Sequence, residues 1–428
     1  MALALLLPLS ACVIRDDGIT LKFMTWADAD QMRILQKAVE GFEKAHPEAK
    51  VLVVRAPYGE YITKVLTQFA GKLSPDVLSV NAEQLPAFAT RGVLLDLSPL
   101  AGKDPGFRAG DFHPEVLSRY TVNGRLLAVP ADIAPVCVVY YNKKAFDEAG
   151  LPCPKDSWRR ADFLAAARRL TKRDASGRIV RWGFLDDWPI WEAWVYANGA
   201  RIVDDVAAPK KCLLGDPAAI EAVQFRADLI HKYQVMPSPS SITAMGGLGN
   251  ADLFINGKVA LFFSGIWKTP RFREIKDFEW DIAPFPAGPA GKRGYPMSGT
   301  GYAVVSSGKH QELAYELLKY LAGETGQRLM AATGLIQPAL RTLGDSPEFL
   351  DGLPPANKRM LNAAVRHGVF RAFDPRADEW MNRIGSKLDR VWSGEKKASE
   401  VLPEAAREVN DQFFKPTKPP VDWMGEKR

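Results

Sequence analysis

Eleven tryptophans punctuate this chain, and several stand where short apolar runs end. Trp26 follows the run at 21–25, Trp188 and Trp191 follow Trp182-Gly183-Phe184, Trp267 follows Leu261-Phe262-Phe263, and Trp380 lies farther on. An indole presents a broad apolar face with one N–H at its edge. That face suits the flat C–H side of a pyranose ring, whose hydroxyls seek polar partners at the rim. Such partners lie close by in sequence. Asp28 and Asp30 come just after Trp26, Asn81 and Glu83 just after the run at 77–80, Asp132 precedes another apolar run, and Ser298 and Thr300 flank Gly299. Carboxylates and amides at a strand end can accept from or donate to hydroxyls. Each also has a plainer role: any Trp can be core, and Asp28, Asp30 and Asn81 are good helix caps.

Covalent chemistry has few candidates. The sequence holds no Gly-x-x-x-x-Gly-Lys-Ser/Thr phosphate loop, no Gly-x-Ser-x-Gly nucleophile elbow and no His-Glu-x-x-His helix. Asp186-Asp187 suggests the carboxylate pair of glycoside cleavage, in which an acid and a nucleophile or base flank the bond. Adjacent side chains diverge, however, so a solvated loop is the expected setting. Five scattered histidines and the absence of any Cys-x-x-Cys argue against structural zinc. Apart from Cys12, the cysteines are Cys137, Cys153 and Cys212, an odd set that allows at most one internal disulfide. Cys137 sits in an apolar run and is expected to behave as a small core residue.

The elements that must position these residues alternate. Strands are expected at 21–25, 51–54 and 77–80, with helices at 32–45, 61–70 and 84–90 between and after them. The run at 136–141 is β-branched, aromatic and too short for a helix, so it reads as a buried strand. Helical turns at 144–149 stop at Gly150, with Pro152 beyond. The next helix carries Phe163, Leu164, Ala167 and Leu170 on one face and is expected to be capped by Asp156 or Ser157. A strand at 299–305 and a helix at 311–321 follow. Segments 365–370, 380–392 and 401–413 have helical spacing and are expected to pack back on the second lobe, with residues 415–428 disordered. This alternation predicts an α/β fold with mainly parallel sheets. A chain of 428 residues exceeds the size of one core, which predicts two lobes. The expected division is 1–18 as leader and linker, 19–130 plus 300–336 as the first lobe, and 131–299 plus 337–414 as the second. Crossings near Pro130 and Gly301 would form a hinge with a cleft between the lobes.

Short motifs in a shared order carry a resemblance. Val136-Cys137-Val138-Val139-Tyr140-Tyr141-Asn142-Lys143-Lys144-Ala145-Phe146, then Ala149-Gly150-Leu151-Pro152 and Trp158, resembles the crossover into the second lobe of an ABC-transporter solute-binding protein. Phe42-Glu43-Lys44-Ala45-His46-Pro47, Pro75-Asp76-Val77, Gly92-Val93-Leu94-Leu95-Asp96-Leu97, Ala197-Asn198-Gly199-Ala200, Gly257-Lys258-Val259-Ala260-Leu261 and Gly265-Ile266-Trp267 are similar to that family's motifs in the same order. The resemblance is to family 1, the sugar-binding, maltose-binding-protein-like group. It implies a two-lobed type II periplasmic-binding fold, no cofactor and no catalysis. It also implies a monomer that takes a carbohydrate or polyol between its lobes, closes by hinge motion and delivers it to ABC permease subunits. In that family aromatics at these strand ends commonly stack on sugar rings. The alternatives are a secreted polysaccharide hydrolase, or a binder of glycerol phosphate or ferric iron. Related proteins hold iron through tyrosine pairs, but Tyr140 and Tyr141 are strand neighbours that point to opposite faces.

The chain begins with an apolar stretch at 2–9, too short to span a bilayer, which needs ~20 residues. It reads as the end of a signal core, although no Lys or Arg precedes it. Leu9-Ser10-Ala11-Cys12 resembles a bacterial lipobox, which implies cleavage before Cys12, a lipid on that cysteine and a periplasmic or cell-surface location. The composition, 47% hydrophobic and 25% charged, is that of a globular protein. The formal charge of +6 is spread along the chain without a basic block, so nucleic acid is not an expected partner.

Overall fold

Two hydrophobic cores organise the chain, one for each end of a seam that the backbone crosses repeatedly. The computed structural model describes residues 18–246 and 249–415; Cys12 with its lipobox and residues 416–428 lie outside these.

The first core surrounds a sheet ordered Ala49–Arg55, Ile19–Thr25, Val77–Asn81, Thr300–Val304 and Val129–Pro130. Ile19–Thr25 pairs in parallel with both Ala49–Arg55 and Val77–Asn81. Thr300–Val304 arrives from the other lobe and therefore runs antiparallel to Val77–Asn81, setting Thr300 opposite Asn81. Helix Ala29–Ala45 buries Leu35, Ala38, Val39 and Phe42 against this sheet, a spacing that keeps one face inward.

In the second core the sheet runs Trp280–Pro284, Val138–Asn142, Val259–Ser264, Ile179–Asp186, Lys172–Arg173. Here only Ile179–Asp186 and Val259–Ser264 are parallel; the other three pairings are antiparallel. The pairing is thus mixed where mainly parallel sheets were expected. The reason is topological: strands entering from the seam run against those laid down by local helix crossovers.

Between the cores lies a small sheet of Gln337–Pro338, Asp132–Pro135, Tyr295–Ser298 and Gly368–Phe370. The expected helix at 365–370 is instead one 3-10 turn, Val365–His367, and a strand, Gly368–Phe370, parallel to Tyr295–Ser298. A Cβ on Gly368 would lie 2.1 Å from Met297 Cε, so glycine permits this close strand. The third crossing is also spread out: Met330, Ala331, Leu335 and Ile336 pack with the second core, Ala339, Leu340 and Leu343 return to the first, and Phe349 joins the second.

The C-terminal helices Ala377–Trp392 and Ala398–Val409 pack on the second core through Trp380, Ile384, Leu388, Val401 and Leu402. Helix Arg160–Leu170 begins later than expected. Asp162, not Asp156 or Ser157, secures its start by accepting the Arg159 N–H at 2.9 Å. Cys137, Cys153 and Cys212 are all free thiols. Among the described residues no helix is long and apolar enough to cross a membrane.

Asp186 and Asp187 diverge, but not into solvent. Asp186 and Arg226 are each 2% exposed and joined by two hydrogen bonds of 2.8 Å, with the guanidinium 4.2 Å from the Trp392 ring centroid. Asp187 instead accepts from Ser264 at 2.9 Å and pairs with Lys268 at 3.1 Å. The two carboxylates are thus committed to different cations. Asp186→Asn strands a buried guanidinium and should cost roughly 3 kcal/mol in a denaturant melt. Asp187→Asn should cost about 1 kcal/mol, as its pair is more accessible; equal losses would contradict the buried-pair assignment.

Candidate functional site

The sheet registers bring the strand ends to the seam. Asn81 ends its strand opposite Thr300, the first residue to return from the second lobe. Trp26 follows Thr25 at the same end of the first sheet, where its strand runs parallel to Val77–Asn81. In the second lobe Ser264 pairs with Val138, the first residue of the strand that enters from the seam, and Asp186 ends alongside Phe263. Trp188 and Trp267 therefore emerge on the seam side as well. This is the crevice beyond the strand ends in which open α/β sheets bind ligands.

Two aromatic groups flank it. On the first lobe Trp26 is half-buried and meets Tyr58 and Tyr61 edge to face, at 5.7 and 4.9 Å between centroids. Tyr58 is 50% exposed, and its hydroxyl accepts from Asn81 Nδ2 at 3.0 Å. On the second lobe Trp188 and Trp267 stack at 6.1 Å with planes 18° apart, and Trp188 keeps 36% of its surface exposed. Trp267 folds back over Gly265, where a Cβ would come 1.9 Å from the indole. Glycine at 265 thus sets the position of the ring.

Two expected stacking residues belong elsewhere. Trp191, 5% exposed, packs in the second core on helix Trp191–Ala197. Trp380 is 1% exposed, and its Nε1 donates to Asp374 at 3.0 Å. Both rings are spent on packing, which helical spacing alone could not distinguish from a cleft face.

The polar residues divide similarly. Asp28 caps helix Ala29–Ala45, accepting from the Asp30 and Gln31 N–H groups at 3.0 and 2.9 Å. Asp30 pairs with Arg33, which also lies 3.6 Å from Glu274 of the other lobe. Neither carboxylate is committed to the cleft floor. Glu83 is: its Oε2 accepts from the Ser298 hydroxyl at 2.7 Å, and burial raises its pKa against the pull of Arg371 and Ser298. Asp132 Oδ1 accepts the Thr300 N–H at 2.7 Å, tying the two crossings together. Burial pushes the Asp132 carboxyl up to about 7, opposed by that hydrogen bond and reinforced by Glu83.

Residues that sequence reasoning missed complete the floor. Arg371, from the segment after Gly368–Phe370, makes bonds of 2.9 and 3.1 Å to the two oxygens of Glu192. Asp378 stands within the field of the same guanidinium. Arg371 lies between the segments expected to be helical at 365–370 and 380–392, and Glu192 is hidden within the aromatic Trp188–Trp194 cluster; their pairing joins residues 179 positions apart and leaves no local signal. Tyr140 and Tyr141 do point apart. The Tyr140 hydroxyl is buried against Gly265 O, Ile266 O and Thr269 Oγ1, and Tyr141 packs on Phe146. Among the described residues no cluster of three or more His, Cys, Asp or Glu side chains could hold a metal ion.

Two lobes, repeated crossings and an aromatic-rimmed crevice between them define a hinged solute-binding protein. The family model described as bacterial extracellular solute-binding protein matches residues 26–328, and the chain belongs to that family. It is a binding protein and not an enzyme, and its place is the periplasm or the cell surface. The chain is similar to a galactooligosaccharide-binding protein of Bacillus subtilis, 25% identical over 92% of this chain and 89% of the relative. It is also similar to an arabinooligosaccharide-binding protein of Halalkalibacterium halodurans, 26% identical over 79% and 76%. In fold it resembles an ABC substrate-binding protein from Listeria monocytogenes in complex with cycloalternan, with a TM-score of 0.83 and 23% identity over 92% of this chain and 99% of that one.

The Asp132 carboxyl has a consequence for stability. Its folded pKa exceeds the ordinary 3.8, so between about pH 4 and 7 the folded chain holds a proton that the unfolded chain has released. Stability from this group is therefore greatest below pH 4 and falls as pH rises through 7. Asp132→Asn keeps an acceptor for Thr300, and its melting temperature relative to the native protein should climb between about pH 4 and 7. A constant offset across that window would show that Asp132 does not titrate there.

Proposed function

We infer that this protein is the carbohydrate-capturing component of an ABC importer. It holds a mono- or oligosaccharide or polyol between its lobes and presents it to permease subunits. The observation that carries this reading is the exposed Trp188 face, stacked on Trp267 at 6.1 Å, on the seam side of the second lobe, with Trp26 and Tyr58 at the seam side of the first. Indole and phenol faces suit the apolar side of a sugar ring. Asn81, Glu83, Asp132 and Ser298 then supply partners for its hydroxyls, and the Thr300 side chain stands beside them. The names of the two oligosaccharide-binding relatives support the same ligand class.

Ligand drives closure only as far as it binds the closed arrangement better than the open one. The lobes in this reading meet at the crossings 132–135 and 295–300, and Asp132 with Thr300 lies at their pivot. The protein acts as a monomer, held to the membrane by a lipid on Cys12. Leu9-Ser10-Ala11-Cys12 supports that anchor.

Two measurements test these statements. Calorimetry against a panel of neutral mono- and oligosaccharides should find a ligand recovered chemically unchanged, and Trp267→Ala should weaken it by about 2 kcal/mol or more, as for a buried aromatic anchor. Unaltered affinity with a large loss of stability would assign Trp267 to packing alone. Expressed with a complete export signal in a bacterial host, the protein should fractionate with membranes, and Cys12→Ser should release it or leave it unprocessed. An unmodified Cys12 in an uncleaved chain, seen by mass spectrometry, would remove the anchor.

A further inference from the structure

Arg371 is outnumbered. Glu192, only 3% exposed, takes its guanidinium in a bidentate pair through Nε and Nη2. Glu83 from the first lobe accepts from Ser298, which follows Met297, and Met297 pairs in register with Phe370, the neighbour of Arg371; Asp378, in the first turn of helix Ala377–Trp392, stands in the field of the same guanidinium. Neither forms a hydrogen bond or ion pair with it among the described residues. Glu83 accepts from the Ser298 hydroxyl and its own backbone N–H, and Asp378 has no hydrogen-bond or ion-pair partner among the described residues. Three carboxylates thus share one cation in a chain whose formal charge is +6. Lys268, at the opposite rim, is already committed to Asp187.

A second observation points the same way. Asn81 is 8% exposed, and its amide nitrogen is used on Tyr58, yet its amide oxygen accepts no hydrogen bond among the described residues. The floor therefore offers acceptors, namely the Glu83 and Asp378 carboxylates and the Asn81 oxygen, with its one guanidinium already engaged. A ligand complementary to that surface brings donors and positive charge. An ammonium group has three donors and no acceptor. An anion could reach Arg371 only through Nη1, which makes no hydrogen bond among the described residues, and would have to come up beside Glu192, Glu83 and Asp378 to do so. Burial holds the pKa values of Glu83 and Asp378 above the usual carboxylate range despite Arg371, consistent with charge that the protein alone does not compensate.

We propose that the cleft selects carbohydrates carrying a protonated amine, amino sugars, over their neutral and anionic counterparts, with Glu83 and Asp378 as the specificity-determining carboxylates. This rests on the carbohydrate reading above and narrows it.

The test is calorimetry of the full chain at pH 7 and low salt, using matched sets that compare a neutral sugar with its 2-amino and its 6-carboxylate derivatives. The sets are glucose, glucosamine and glucuronate, galactose, galactosamine and galacturonate, and the β-1,4-linked disaccharides and trisaccharides of glucose and glucosamine. In at least one set the amine form should bind about tenfold tighter than the hydroxyl form, the scale of one close charge pair, and the carboxylate form more weakly than either. Raising the salt should narrow the gap. Glu83→Gln and Asp378→Asn, each shown folded by a thermal melt without ligand, should cut the amine-over-hydroxyl ratio to about threefold or less. Hydroxyl forms binding as tightly as amine forms, or a ratio that survives in both variants, overturns this proposal and leaves carbohydrate capture standing. Failure of every set, together with failure of the wider neutral panel, overturns both.

Discussion

The hydrogen bond from the Thr300 N–H to Asp132 Oδ1 is small, yet the arrangement of the cleft depends on the place it occupies. It joins the chain leaving the first lobe to the chain coming back. Around it the backbone has no slack: Ala131 N–H bonds Thr300 O, Tyr120 donates to Gly299 O, and a Cβ on Gly299 would approach Asp132 O to 2.7 Å. Two antiparallel crossings locked side by side form a pivot. They also bring Asn81, Glu83 and Ser298 to one floor, because Thr300 sits in register with Asn81.

The aromatic residues show how one side-chain type serves opposite ends. Trp380 and Trp191 are inside, where a large apolar surface adds to core burial. Trp188 and Trp267 are the same chemistry held at a strand end, with Gly265 removing the bulk that would push the indole away. Trp26 is intermediate, buttressed edge-on by two tyrosines so that its orientation is determined before any ligand arrives. In the proposed reading, rings oriented in this way lose little freedom on binding.

Charge follows a similar division of labour. Asp186 with Arg226 and Glu192 with Arg371 are both bidentate pairs with a nearly inaccessible carboxylate, yet they differ in what surrounds them. The first is capped by the Trp392 ring and enclosed by the second core. The second leaves the Arg371 side chain 27% exposed, with Glu83 and Asp378 within its field. The first is enclosed by packing, whereas the second lies on the surface proposed to meet the ligand.

Much of this was written locally. Apolar runs ending in Trp26 and Trp267, the helix expected at 32–45 and found at 29–45, and the opposed Tyr140 and Tyr141 follow from strand and helix periods that operate over a few residues. The order of short motifs was enough to indicate the family before any coordinate. What the tertiary structure alone decided is non-local. Gly368–Phe370 becomes a strand because Tyr295–Ser298 is there to pair with it, and Arg371 reaches the cleft only as a result. Its partner Glu192 lies 179 positions away in the chain. Asp186 reads as a loop residue until Arg226, on another element, gives it a buried counter-charge. Periodicity records which face of an element is apolar, but not which element will cover it. Whether a tryptophan becomes core or cleft, and whether a carboxylate meets water or a cation, is settled only when distant segments pack.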